Sequence, residues 1–159
     1  YSLVDRGTVR IDGLENQTGD RAEFSGHSYS DKLPGYSFVA AVPYAALKRV
    51  MGWPDHSRDV PGIARWPADY TVTLFTSGLA TALCGALLTR LAMDLGCGPR
   101  RAALVGLAYG LATPAYAYAT LAHGHQLSAA CLLGALALLW RSALSKTAHH
   151  PKPSPQGGR

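Results

Sequence analysis

The groups most able to do chemistry crowd into one short stretch near the N-terminus. From His27 to Lys32 the chain sets an imidazole, a phenol (Tyr29), a carboxylate (Asp31) and an ammonium within six consecutive residues. Pro34-Gly35 closes the run, because proline fixes φ and glycine permits φ > 0. Asp12 and Asp20 lie upstream, and His123 and His125 flank Gly124 far downstream. A carboxylate such as Asp12, Asp20 or Asp31 can remove the proton of an acceptor hydroxyl as a general base. A fixed cation such as Lys32 can stabilise a phosphate as it leaves. His27, Tyr29, His123 and His125 can hydrogen-bond a sugar or a phosphate. Each has a plainer reading: loop aspartates cap turns, a loop lysine is solvated, and a histidine at a helix corner needs no special role. His-x-His offers two ligands and no others are evident; Cys84, Cys97 and Cys131 are isolated. The sequence therefore specifies no metal site, leaves a divalent cation without support and names no cofactor.

The elements that must position these groups follow from composition. The chain is 48% hydrophobic and only 16% charged, against about 25% charged in ordinary soluble domains. Nine of the ten acidic residues precede Tyr70, and only Asp94 follows it. This asymmetry predicts a polar segment followed by membrane spans. The net charge of +5 comes from basic residues at the ends of apolar runs, with no stripe of interleaved aromatics, so a nucleic-acid partner is not indicated. Spans are expected at about 70–89, 102–122 and 124–142, each near the roughly 20 residues that cross a hydrocarbon core. Thr113-Pro114 should kink the second. Residues 36–51 read as a short interfacial helix, with Phe38, Val42, Ala46 and Val50 at helical spacing and Pro43 kinking or dividing it. Residues 52–69 read as loop, with Trp53 and Trp66 as interfacial anchors. Arg90, Arg100 and Arg101 between the first two spans, and Arg141, Lys146, Lys152 and Arg159 in the tail, predict a cytoplasmic linker and C-terminus. Residues 1–69 and the His123/His125 corner then share the extracytoplasmic side. The tail, 143–159, reads as disordered. The fold class expected is an all-α polytopic membrane protein with three transmembrane helices, an external N-terminal loop region and a short interfacial helix.

Asp12 through Pro43 resembles the first external loop of bacterial GT-C membrane glycosyltransferases, the class of protein O-mannosyltransferases and lipid A aminoarabinose transferases. The residues concerned are Ile11-Asp12, Thr18-Gly19-Asp20, Gly26-His27-Ser28-Tyr29-Ser30-Asp31-Lys32-Leu33-Pro34-Gly35 and Ala41-Val42-Pro43. In that class an acidic-Lys-Pro element lies near the donor phosphate; here it reads Asp31-Lys32-Leu33-Pro34, with one residue between Lys and Pro. Thr113-Pro114 and His123-Gly124-His125 are similar to the helices that follow. The resemblance implies a transferase of the cell envelope that moves a sugar from a polyprenyl-phosphate carrier to an extracytoplasmic acceptor, with membrane lipid around it. It also implies that the chain is a fragment, since such proteins begin with a membrane helix and an acidic motif and have more spans. The alternative is a non-catalytic membrane subunit or truncated paralogue that only packs with a partner. A small transporter is disfavoured, because no expected span holds a buried Asp, Glu, Lys or Arg.

Overall fold

The structure is a computed structural model describing residues 1–32, 34–57 and 62–148. The chain begins with a single helical turn, α1 (Ser2–Asp5), and a 3₁₀ turn at Glu15–Gln17. An antiparallel hairpin follows, β1 (Arg21–Phe24) with β2 (His27–Ser30), in the register Arg21↔Ser30 and Phe24↔His27. The polar segment is thus not all loop, and the fold is mostly helical rather than all-α. Ser25 and Gly26 both have positive φ, 50° and 73°, the twist-compatible geometry of a two-residue type I′ turn. On the outer side of β2, Arg10 bridges Tyr29 and the Ile11 amide donates to the Ser28 carbonyl at 2.8 Å.

Helix α2 (Gly35–Met51) runs on through Pro43 as one helix. Tyr44, almost wholly buried, holds the residues after the proline against α3 (Gly62–Thr73), in a cluster with Ala68, Val72, Tyr1, Val4, Ala40 and Trp53. Gly52, with φ 65°, ends α2 in the left-handed conformation, and the Trp53 amide returns to the Lys48 carbonyl. The apolar row named from spacing is exposed: Phe38, Val42, Ala46 and Val50, the last at 78%, with Phe38 also in the lining of a cavity. Trp53, half-buried, packs on Tyr44 and His56, whereas Trp66 is exposed and stacks on Tyr70.

The expected loop 52–69 is helical from Gly62 onward. Helix α3 passes Pro67 and continues through a π-helical turn (Leu74–Gly78) into α4 (Leu79–Asp94). Charged residues at both ends are absorbed by pairs four residues apart on the helix, Arg65 with Asp69 at 3.3 Å and Arg90 with Asp94 at 3.1 Å. After a turn at Gly96, α5 (Pro99–Ala112) opens with proline in its first turn, where a missing N–H costs nothing. Thr113 preceding Pro114 is extended, φ −124° and ψ 169°, as the proline ring requires. The expected span 102–122 is therefore broken, α5 being followed by the short α6 (Ala115–Ala119). Gln126, buried, spans the break by accepting from Tyr109 Oη at 2.9 Å and donating to the Ala115 carbonyl at 3.5 Å. Helix α7 (His125–Ala148) runs six residues into the expected tail; residues 149–159 lie outside the described residues.

Helices α4 and α5 meet at Gly85 and Gly106. A Cβ at Gly106 would stand 2.5 Å from the Gly85 carbonyl oxygen and 2.2 Å from Thr89 Oγ1, so the backbones touch where no side chain fits. Two described helices, Arg65–Asp94 and His125–Ser145, are long and apolar enough to cross a membrane, with mean hydropathies of 1.6 and 1.7. The leucines of α7 are largely exposed, Leu132 at 74%.

Candidate functional site

The residues singled out by chemistry fall into three groups. In the first, Asp12 is clamped against the hairpin. Its Oδ1 accepts the Ser28 amide at 2.7 Å and its Oδ2 faces His27 Nδ1 at 2.9 Å. The Ser28 amide, acting against partial desolvation and helped by His27, holds this carboxyl below the usual carboxylate range. In the second, Lys32 Nζ lies 3.1 Å from Asp20 and 3.6 Å from Asp31. The Asp31 amide also reaches the Asp20 carbonyl at 3.4 Å, continuing the hairpin ladder and drawing the two carboxylates to one ammonium. The hydrogen bond to Asp20 and the charges of both carboxylates raise the Lys32 ammonium above its ordinary pKa. This group is open to solvent, Lys32 being 63% exposed.

The third group is the histidine corner. His123 and His125 stack at 6.0 Å and His125 meets Tyr118 edge-on at 4.9 Å. The corner touches the start of α2, since a Cβ at Gly124 would lie 3.6 Å from Tyr36 Cβ. The π-helical turn secures both: Tyr36 Oη bonds Thr76 Oγ1 at 2.8 Å, and Ser77 Oγ donates to the His123 carbonyl at 3.2 Å. Widening the helix by one residue turns these two hydroxyls inward, where both are buried. Among the described residues no three His, Cys, Asp or Glu gather as metal ligands.

Sequence reasoning missed a more tightly built network behind α2. The Asp5 side chain is fully buried, 0% exposed. It accepts Lys48 Nζ at 2.5 Å, Tyr44 Oη at 3.0 and 3.1 Å and the Ser57 amide at 2.9 Å. Lys48 also reaches Asp55 at 2.5 Å. Tyr44 has one hydroxyl hydrogen, which goes to Asp5, so its oxygen accepts from His56 Nδ1 at 3.0 Å and that nitrogen carries the ring hydrogen. Burial drives the Asp5 carboxyl up, but hydrogen bonds from Lys48, Ser57 and Tyr44 together outweigh it and hold the group below the usual range. Burial, with the bond to Asp5 second, raises the Tyr44 phenol. No local pattern announces this network, whose members are 12 to 52 residues apart in the bonds to Tyr44 and Asp5.

Of this network Tyr44 lines a cavity of about 610 Å³ between the N-terminal segment, the hairpin, α2 and α3. Its lining is mostly apolar and includes Leu3, Ile11, Phe38, Ala41 and Val72. Among the described residues its charged side chains are Asp69 and Arg65, which pair with each other, and the phenol of Tyr1 donates to Asp69. Of the sequence-predicted residues only Tyr29 lines this cavity; Asp12, Asp20, His27, Asp31, Lys32, His123 and His125 do not. Set against protein-family models, curated proteins and solved structures, the chain matches none of them.

Proposed function

We propose that this chain forms part of a GT-C-like integral membrane glycosyltransferase that passes a sugar from a polyprenyl-phosphate donor to an extracytoplasmic acceptor. One observation carries the reading. The Asp20–Asp31–Lys32 group leads directly into α2, whose first turn packs on Gly124 between His123 and His125. The start of α2 thus links the segment that carries the carboxylates and the cation to the histidine corner at the start of α7. Exposed leucines on α7 and exposed Val42 and Val50 on α2 favour lipid around the helices. The helix pair α5–α6 would make a third, broken crossing, its break supported by Gln126. The Arg90, Arg100, Arg101 and Arg141 distribution favours a cytoplasmic linker and C-terminus, with the N-terminal region outside.

In this reading Lys32 meets the donor phosphate, Asp12, Asp20 or Asp31 serves as base, and His27, Tyr29, His123 and His125 hold sugar or phosphate. A second reading has its own support: two carboxylates already balance Lys32, as a purely structural loop in a non-catalytic membrane subunit would require. Transfer of radiolabelled sugar from polyprenyl phosphate by membranes carrying the intact protein separates the two. Lys32→Ala should lower transfer by about 10²-fold, the effect of losing one transition-state donor, with membrane insertion unchanged. Equal transfer by the variant removes Lys32 from the mechanism. Absence of transfer by the unaltered protein supports the non-catalytic subunit.

A further inference from the structure

The cavity behind the hairpin has a composition that none of the roles above uses. Its walls are mostly apolar, and among the described residues the charged side chains that line it, Asp69 and Arg65, sit together with Asp69 Oδ2 and Arg65 Nε 3.3 Å apart. Tyr1 fixes the other carboxylate oxygen. A carboxylate offers about four lone-pair sites, and Asp69 is 47% exposed on its side chain, so it can accept a further donor from inside the cavity. A phosphate would bring its negative charge against Asp69 where the Arg65 guanidinium is already paired, a poor match in a low-dielectric pocket. A hydroxyl brings a donor and no net charge. The volume of about 610 Å³ lies within the range of pockets that enclose a small molecule, roughly 300–1,000 Å³.

We infer that this cavity binds an amphipathic alcohol, its single apolar chain between α2 and the hairpin and its hydroxyl donating to Asp69. The site stands independently of sugar transfer; where transfer occurs, such an alcohol would be positioned as an acceptor. The test uses the intact protein in phosphatidylcholine vesicles and dodecanol carrying a diazirine on its chain. Light should attach the probe to cavity residues such as Phe38 or Val72. Unlabelled dodecanol should compete at least about tenfold better than dodecyl phosphate. Asp69→Asn, which keeps the shape but removes the charged acceptor, should weaken labelling by about tenfold, in line with loss of a hydrogen bond to a charged group. Ala41→Trp, which fills the cavity from α2, should abolish it. Leu138→Trp on the exposed side of α7 should leave it unchanged. Labelling confined to α7 or α5, or phosphate competing as well as the alcohol, overturns the inference without any variant having to fold. A protein that takes the alcohol yet transfers no sugar upholds this site and refutes only the glycosyltransferase reading.

Discussion

Replacing Lys48 by methionine should detach the N-terminal segment from the helices. Asp5 has no exposed side-chain surface, and Lys48 is its only cationic partner among the described residues. Removing one member of a buried ion pair costs about 3–5 kcal/mol, because the other charge stays buried without compensation. Tyr44 and the Ser57 amide still donate to Asp5 in the variant, which places the loss near the lower end, about 3 kcal/mol. Asp55, the second partner of Lys48, is 43% exposed, and Asp55→Asn should cost only about 0–1 kcal/mol. Trp53 packs against Tyr44 and His56, so its fluorescence reports the state of this network once Trp66 and Trp140 are replaced by phenylalanine. With m of about 1–3 kcal/mol/M, the urea midpoint of the Lys48→Met variant should fall by roughly 1–3 M. Adding Asp5→Asn to Lys48→Met should restore part of the loss, since the stranded charge is then gone. Equal shifts for Lys48→Met and Asp55→Asn, or a double variant weaker than both singles, would refute the argument. The consequence reaches the cavity, because Tyr1, Ser2, Leu3 and Tyr44 are in its wall.

Three further outcomes are expected. Gly106→Ala should lower the thermal stability of the detergent-solubilised protein by about 1–3 kcal/mol through forced separation of α4 and α5, whereas Gly110→Ala, with open space around it, should not. Asp5 and Asp12 have depressed carboxyl pKa values, so their stabilisation is present above the ordinary range near pH 4 and is lost as the pH falls through their folded values; acid titration of Trp53 fluorescence should show a transition below about pH 4 that Asp5→Asn removes. Gly26→Val should weaken the hairpin by about 1–2 kcal/mol, because a β-branched residue resists the positive φ held there, and amide exchange of Ser28 and Tyr29 should quicken while exchange in α7 stays the same.

The apolar half was legible as helix because it is written in unbroken hydrophobic runs, and two long apolar helices lie there, Arg65–Asp94 and His125–Ser145. Their ends were not legible. Asp69 and Arg90 look like span boundaries until Arg65 and Asp94 are seen pairing with them along the same helix. The hairpin had a readable signal, Ser25-Gly26 between two four-residue strands, but the glycine is equally a loop residue and strands β1 and β2 bury little. Among candidate site residues, spacing brought Asp31 and Lys32 together, and the fold added Asp20 and paired Asp12 with His27. Asp5 and Asp69 could not be found from sequence. Each depends on partners brought from elsewhere, Tyr44 and Lys48 for one and Tyr1 for the other, and nothing in the flanking residues distinguishes them from solvated aspartates.

The π-helical turn from Leu74 to Gly78 gives the long helix one surplus residue and absorbs it by winding wider than an α-helix. The half bearing Val72 and the half bearing Gly85 therefore keep nearly the phase of a helix one residue shorter. Deleting one residue of the turn would leave the grip on α2 and the glycine crossing with α5 in register. It would close the bulge instead, and draw Thr76 and Ser77 away from Tyr36 and the His123 carbonyl. Inserting one more residue there would swing the two halves by about 100°, so added length should be tolerated around Gly96, at the bend between helices, and rejected at Thr76.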